Sequence, residues 1–170
     1  MENHDEPILR RDGTAPEPGE DAPLRDRLRR LLEREPYAVL CTQGDGQPYG
    51  SVVAFATDDS LAAAVFATGR ETRKFRLISG CDRVALVVDS RGRHPDELMS
   101  VEAVTATGRV REIEPGEEFD GWAVRLLAKH PALGPFLESP STALLRVDVV
   151  RYLHVHRFQE VRQWIPPAPA

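Results

Sequence analysis

The stretch Phe66-Ala67-Thr68-Gly69-Arg70-Glu71-Thr72-Arg73-Lys74-Phe75 decides how this chain is interpreted. In it an apolar strand pattern ends in a short turn, and a helical pattern begins immediately afterwards. Thr68 and Thr72 offer hydroxyl donors, and Arg73 offers a planar fork of N–H donors. Lys74 adds a compact positive charge, and the free N–H groups of a helix start also favour an anion. The stretch therefore predicts an anchor for a phosphate group, which we interpret as part of a phosphorylated cofactor.

The alternative is that the basic side chains of this turn only solvate the start of a surface helix. Cations in a first helical turn oppose the helix dipole, which prefers acidic side chains there and basic ones at the other end. Since the sequence places Arg73 and Lys74 against that preference, the cofactor site is the favoured interpretation.

Three strand patterns surround the start of this stretch, at residues 37–42, 49–57 and 61–68. The connections at 44–48 and 58–59 are rich in turn-forming residues and are typical of hairpins. The first three strands are therefore expected to form an antiparallel meander.

The segments that follow alternate between helix and strand patterns. They are a helix over residues 71–79 that ends at Gly80, strands over 84–88 and 100–113, a helix over 117–129 and a strand over 143–155. The run at 84–88 is continuously apolar, which is consistent with a strand buried on both faces. Six strands, with one helix after the third and another between the fifth and sixth, predict a mainly β (α+β) fold built on a small antiparallel barrel.

The chain is expected to form one domain over residues 22–165. Four leucines between residues 24 and 32 recur at helical spacing and predict an amphipathic N-terminal helix. Residues 1–21 hold few apolar side chains and are expected to be a flexible tail. Residues 166–170 form a short Pro-rich tail.

Composition limits the classes of partner. A chain of 170 residues with 41% hydrophobic content can bury a core without metal or disulfide bonds. The formal net charge of −5 and the lack of a long Lys or Arg run argue against nucleic acid as a partner. No apolar stretch has the length of a signal peptide core or a membrane span, so we expect a cytoplasmic protein with no membrane partner. Cys41 and Cys81 have no paired or metal-binding spacing and are expected to be reduced thiols.

The order of these features resembles that of the flavin-binding split-barrel superfamily, which includes the pyridoxamine 5'-phosphate oxidases. The features are a strand, the motif Thr-Gly-x-x-Thr-Arg-Lys, an amphipathic helix and the strand pattern at 82–89, and the resemblance extends over roughly residues 24–160. It implies a six-stranded antiparallel split β-barrel with flanking helices that binds FMN. By the same resemblance, the phosphate of FMN would be held by Thr68, Thr72, Arg73 and Lys74, with Ala67 beside them.

The resemblance also implies contacts with the isoalloxazine ring. The strand that contains Ser51, Val52 and Val53 would lie beneath the ring and bind its polar edge through backbone groups, although an ordinary core strand has the same pattern. Glu102 and Ala103 would contact the flavin of a neighbouring subunit in a homodimer, although a fully internal strand is equally compatible. Trp164 either caps the flavin pocket or packs across the dimer interface, and core packing is an equal alternative.

His154 and His156 are two residues apart on a predicted strand, so their side chains share a face. Such a pair could ligate a metal or haem, but no acidic or thiol partner lies nearby in sequence. The favoured interpretation is a solvated strand face without a metal. Some split-barrel proteins bind or degrade haem, and the regions of His130-Pro131 and Phe158 are weakly similar to that branch. A haem protein is therefore the alternative to a flavoprotein.

No nucleophilic triad, phosphate-binding Gly-Lys loop or zinc cluster is evident, so no catalytic residue is assigned. The resemblance implies an FMN-dependent oxidoreductase that acts on an unidentified small molecule, with a non-catalytic flavin-binding protein as a further alternative. True pyridoxamine 5'-phosphate oxidases end in a basic Arg-x-His element that grips the substrate phosphate. Residues 164–170 lack it, so we do not expect oxidation of that substrate.

Overall fold

The computed structural model describes residues 21–157 and 160–168, and its seven strands and four helices within those ranges are predominantly β. In chain order the elements are α1 (Asp21–Arg34), β1 (Tyr37–Gly44), β2 (Gln47–Thr57), β3 (Ala63–Gly69), α2 (Arg73–Gly80), β4 (Arg83–Asp89), β5 (Ala103–Glu112), α3 (Glu117–Lys129), α4 (Gly134–Leu137), β6 (Thr142–His156) and β7 (Glu160–Trp164). None of the helices in the described part is long and apolar enough to cross a membrane.

Six strands close into a barrel. Their order is β3-β2-β1-β4-β5-β6, every neighbouring pair is antiparallel, and β6 pairs again with β3 to complete the circle. This confirms the predicted fold. The ladder between β2 and β3 covers only Phe55–Thr57 and Ala64–Phe66, so these two strands separate along the rest of their length.

A seventh strand was not predicted. β7 pairs with the last residues of β6, from Tyr152 opposite Trp164 to His156 opposite Glu160. Its five residues are mostly exposed and polar, so they carry no apolar alternation that would mark a strand. The β7 pairing comes from the free edge of the long β6 rather than from its own sequence.

The hydrophobic core has two parts. The barrel interior is covered at one end by the leucines of α1, such as the fully buried Leu28, and at the other end by Ile78 of α2. A second cluster lies outside the barrel, where Leu126 of α3 packs on Val65 and Leu144 of strands β3 and β6. The helices therefore leave the outer faces of β1, β4 and β5 without a covering layer in the described residues.

The strand pair β5–β6 contains a bulge that requires glycine. The register between these strands shifts between Thr107 and Gly108. A Cβ atom at Gly108 would collide with the carbonyl oxygen of Asp148 and lie 3.0 Å from its carbonyl carbon. The bulge lets the two long strands bend around the barrel, and only glycine permits the close backbone approach.

Three predicted details differ in the structure. α2 begins at Arg73 rather than at 71 because Thr72 is its N-cap, and Gly80 is still helical. β5 begins at Ala103 rather than at 100, after a single 3₁₀ turn over Leu98–Ser100. β4 is not buried on both faces, since its residues alternate between buried and half-buried.

The predicted N-terminal tail lies outside the described residues, except for Asp21, which begins α1. At the C-terminus, residues 165–168 follow β7 without regular secondary structure.

Candidate functional site

The Thr68–Lys74 turn joins the end of β3 to the start of α2. The backbone N–H of Arg70 donates to the carbonyl of Ser141 at 2.8 Å, which fixes the turn against the residue preceding β6. Thr72 caps α2, since its Oγ1 accepts from the N–H of Phe75 at 3.4 Å. Its hydroxyl donates to the carbonyl of Gly69 at 2.8 Å, and the Oγ1 of Thr68 lies 3.0 Å away. Both hydroxyls therefore lie together at the helix start, where they hold the turn as well as offering oxygen atoms to a ligand.

The basic residues of this turn have different surroundings. Arg70 forms a salt bridge with Glu112 at the end of β5, and its guanidinium carbon lies 5.8 Å from the ring centroid of Phe75. Arg73 is exposed and lies over the ring of Tyr49, with 4.8 Å from the guanidinium carbon to the ring centroid. Lys74 is half-buried, and no ion pair joins it to any described residue. α2 has no acidic residue in its first turn, and neither Arg73 nor Lys74 forms an ion pair with the neighbouring Glu71 or with any other described residue.

The gap between β2 and β3, where the two strands are no longer paired, lies beside this turn. β3 continues past Phe66 by pairing with β6, whereas the stretch of β2 before Phe55 pairs only with β1. The other edge of β2 at residues 50–54 has no strand partner in the described part of the chain. Backbone N–H and C=O groups along this edge are therefore available to a ligand. Tyr49 brings Arg73 to this edge. The sequence analysis did not single out Tyr49, and the only feature of the sequence that could have indicated it is an aromatic residue next to Gly50.

The predicted ring contacts on β2 are not equivalent. The hydroxyl of Ser51 is buried and has no hydrogen-bond partner among the described residues. Val52 is 66% exposed on the outside of the barrel, whereas Val53 is buried in its interior. The side chain of Ala67 on β3 packs into the cluster beneath α3. Val53 and Ala67 could therefore reach a ligand only through their backbone atoms.

The remaining predicted contacts lie at the other end of the barrel. Glu102 precedes the first residue of β5, and the Thr68–Lys74 turn is tied to its last residue, Glu112. Ten extended residues span about 30 Å, so one chain does not bring Glu102 and Ala103 to the turn. Trp164 is buried in the core and packs on Tyr152, with 5.7 Å between ring centroids.

His154 and His156 share a face, as predicted, with 5.5 Å between ring centroids. The interpretation of a solvated face is wrong for His154, which is 0% exposed. Burial lowers its pKa below the ordinary imidazole value, and neither ring nitrogen has a hydrogen-bond partner in the described chain. Both rings have a carboxylate close by. Glu102, distant in sequence, lies 3.8 Å from His154 Nε2, and Glu160 lies 3.1 Å from His156 Nε2. Glu160 is only four residues after His156, so the expectation that no acidic partner lies nearby in sequence is wrong for this histidine.

These side chains do not form a metal centre: no group of three or more potential ligands is arranged to hold a metal ion within residues 21–157 and 160–168. The other predicted haem-related residue, His130, places its Nε2 3.0 Å from the carbonyl of Phe55 and stacks on Tyr37. His130 therefore fixes the end of α3 to the barrel. Phe158 lies outside the described residues.

Comparisons with known proteins agree with this architecture. The family described as pyridoxamine 5'-phosphate oxidase matches residues 24–156. A heme binding protein from Mycobacterium smegmatis superposes with a TM-score of 0.74 at 17% identity over 83% of this chain and 57% of its own. Campylobacter jejuni ChuZ gives 0.74 at 11% identity over 85% and 60%, respectively.

General stress protein 26 from Bacillus anthracis has a TM-score of 0.58 at 15% identity, over 84% of this chain and 98% of its own. The chain thus spans about three fifths of the mycobacterial and Campylobacter proteins but nearly all of the stress protein. At these identities the likeness concerns the fold alone. No protein of curated function matches the sequence.

Proposed function

The chain belongs to the pyridoxamine 5'-phosphate oxidase family, and from this premise we propose that it binds FMN and acts as an FMN-dependent oxidoreductase on a small molecule. The observation that carries the proposal is the pair Arg73 and Lys74 at the start of α2, which forms no ion pair with a described residue and of which Arg73 lies against Tyr49 at the open edge of β2. An anion is the partner that such a pair lacks.

The residues of the turn fit a phosphate group. A phosphate at the start of α2 would accept from the first N–H groups of the helix, which have no acceptor within it. Arg73 would add a forked, charge-assisted contact, and Lys74 would add a compact charge. Thr68 and Thr72 would place their hydroxyl oxygens beside the same group. These four side chains are therefore proposed to hold the phosphate of FMN.

The open edge of β2 fits the polar side of a flavin ring. Backbone groups at Ser51, Val52 and Val53 would bind the ring, and the unpartnered hydroxyl of Ser51 would gain a partner. The flavin itself supplies hydride and one-electron chemistry when bound. The protein's contribution is to position the ring and to shape the space in which a substrate meets it.

A second copy of the chain is proposed to cover the outer face of the barrel. On this face Val39 lies opposite both Val52 and Val87, and Val87 lies opposite Thr105. Val52 and Tyr37 are 66% and 60% exposed, respectively. The continuously apolar sequence of β4 suits burial on both faces, whereas one chain buries only one. A twin packed here would bring its Glu102 and Ala103 to the neighbouring flavin, while Trp164 stays in its own core.

Haem is the competing ligand, because one of the structural relatives above is named as a heme binding protein. The histidines described here do not favour it. His154 is fully buried, and both ring nitrogens of His156 lie against Glu160. Burial keeps the nitrogens of His154 from an iron, and Glu160 lies against those of His156 in this arrangement.

The visible spectrum of the purified protein tests the choice of cofactor, since flavin gives two bands in the near-ultraviolet and blue and haem gives one intense Soret band. Titration should then show that FMN binds much more tightly than riboflavin. Equal affinities for FMN and riboflavin would contradict the proposal that the turn binds a phosphate group.

The mass of the protein in solution tests the shared site. Light scattering should give about twice the 18.9 kDa chain mass, and Val52→Asp should yield a monomer that has lost most of its affinity for flavin. A monomeric wild type that holds FMN stoichiometrically would contradict the shared site.

A further inference from the structure

A groove runs along α1 at the end of the barrel opposite the Thr68–Lys74 turn. Its cavity of about 920 Å³ is bounded by α1, the start of β5 and the adjoining ends of β6 and β7. A smaller cavity of about 360 Å³ continues it along α1 and shares Arg27, Arg30 and Glu102 with it. We call these two cavities the α1 groove. The larger one is within the range of small-molecule sites in proteins.

The α1 groove carries positive charge that the described residues do not neutralise. Arg27, Arg30 and Arg34 are spaced so that all three lie on one side of α1 and line it. The Nε of Arg27 lies 3.7 Å from a carboxylate oxygen of Glu102. The other arginines of the groove form no ion pair with a described residue; they are Arg30, Arg34 and Arg162 of β7. Asp26 is the unpaired carboxylate that lines the larger cavity. Within residues 21–157 and 160–168, three guanidinium groups without an ion pair therefore line the α1 groove together with one carboxylate without an ion pair.

His154 gives a second, independent observation at the same place. It is 0% exposed, and neither of its ring nitrogens has a hydrogen-bond partner in the described chain. Its Nε2 faces the carboxylate of Glu102, 3.8 Å away, which lines both cavities. A buried imidazole without a hydrogen bond is costly for folding, so such groups are concentrated where a site uses them.

We propose that the α1 groove is a second binding site, separate from the phosphate site at the Thr68–Lys74 turn, for a small organic anion that carries two or more carboxylate or phosphate groups. Arg30 and Arg162 bind its acidic groups through forked, charge-assisted hydrogen bonds. Arg27, held only at 3.7 Å by Glu102, turns toward the ligand. Glu102 is then free to accept a hydrogen bond from the ring of His154, which gives the buried imidazole its partner.

Calorimetric titration with citrate and with pyrophosphate tests the site at fixed ionic strength, using FMN-loaded protein. At least one probe should bind the wild type, and the double variant Arg30→Ala/Arg162→Ala should weaken that binding at least tenfold. Which probe binds more tightly distinguishes a carboxylate ligand from a phosphate ligand. The FMN affinity of the double variant should stay within twofold of the wild type, so that failure of this site and failure of the flavin site are told apart.

Arg91→Ala is the matched control, because Arg91 is exposed, lies in the loop after β4 and does not line the α1 groove. It should leave probe affinity within twofold. If the double variant does not fold, Arg30→Gln and Arg162→Gln as single variants should each weaken binding by a smaller factor. Absence of binding by both probes, or equal affinity in wild type and variants, would overturn the proposal. Loss of probe binding in Arg73→Ala but not in Arg30→Ala/Arg162→Ala would also overturn it, since the anion would then occupy the Thr68–Lys74 turn.

Discussion

The two ends of the barrel carry charge in different ways. At the α2 end, the important side chains lie within seven consecutive residues, and the two threonine hydroxyls bond to each other and to the turn. At the α1 end, the charged side chains come from α1, from the residue before β5 and from β6 and β7. The first site is local in sequence and its hydroxyls are satisfied, whereas the second is assembled from distant segments around the unpartnered ring of His154.

This difference teaches how each end can be recognised. A turn that caps a helix and places cations against the helix dipole is visible in the sequence, because each part depends on its neighbours in the chain. A buried histidine beneath a cluster of arginines depends on the closure of the sheet. The following experiments separate the two ends, in order of decreasing expected effect.

The replacement of both Arg73 and Lys74 by Ala should have the largest effect. In the proposed site each side chain would form a charge-assisted contact worth about 1.5–3 kcal/mol, so FMN affinity should fall by a factor of about 100 or more. Riboflavin affinity should change little, and both are measured by flavin fluorescence titration. Arg76→Ala is the control on the same helix, because the Arg76 guanidinium donates to the carbonyl of Glu71 and is not among the side chains proposed to hold the phosphate. An unchanged FMN affinity in the double variant would remove the α2 end as the phosphate site.

Gly108→Ala should disturb both ends, because β5 runs between them and its bulge sits at this residue. The added Cβ would collide with the backbone of Asp148, so the free energy of unfolding should fall by about 2 kcal/mol in urea denaturation. Gly121→Ala is the matched control, since nothing lies within 4 Å of its added Cβ on α3. It should stabilise the protein by roughly 0.5–1 kcal/mol. Equal effects of the two variants would show that the bulge does not need glycine.

Thr72→Ala should affect the α2 end alone. Loss of the N-cap should lower the free energy of unfolding by about 1 kcal/mol, and the hydroxyl of Thr68 would lose its partner at 3.0 Å. Thr72→Ser keeps the capping oxygen and should stay within a few tenths of a kcal/mol of the wild type. If both substitutions lowered stability equally, the methyl group rather than the cap would be responsible.

His154→Leu should change the pH dependence of stability at the α1 end, and this is the smallest effect. Burial lowers the pKa of His154 in the folded protein, so below about pH 6.5 the unfolded chain binds more protons at this residue and stability is lost as the pH falls. The difference obtained by subtracting the Tm of the wild type from that of the variant should therefore increase as the pH is lowered from 7 to 5. His94→Leu, on the loop after β4, is the control. A Tm difference that does not vary with pH would show that His154 does not titrate in this range.

Much of the barrel was predictable from local patterns. Alternation and apolar runs located the six barrel strands, and the spacing of leucines and aromatic residues located α1 and α3. The predictions failed where a neighbour decides the structure. β7 exists because β6 offers a free edge, and the continuously apolar β4 is covered on one face only in a single chain.

The sequence by itself determined the Thr68–Lys74 turn and its adjacent pair of cations, since a helix cap and a helix dipole act over a few residues. Only the tertiary structure decided that the edge of β2 stays open beside that turn. It also decided that His154 is buried against Glu102 beneath the arginines of α1. The physical reason is that strand pairing and burial depend on contacts between residues far apart in the chain. Local periodicity predicts on which face of a strand a side chain lies, but it does not predict which other segment will cover that face.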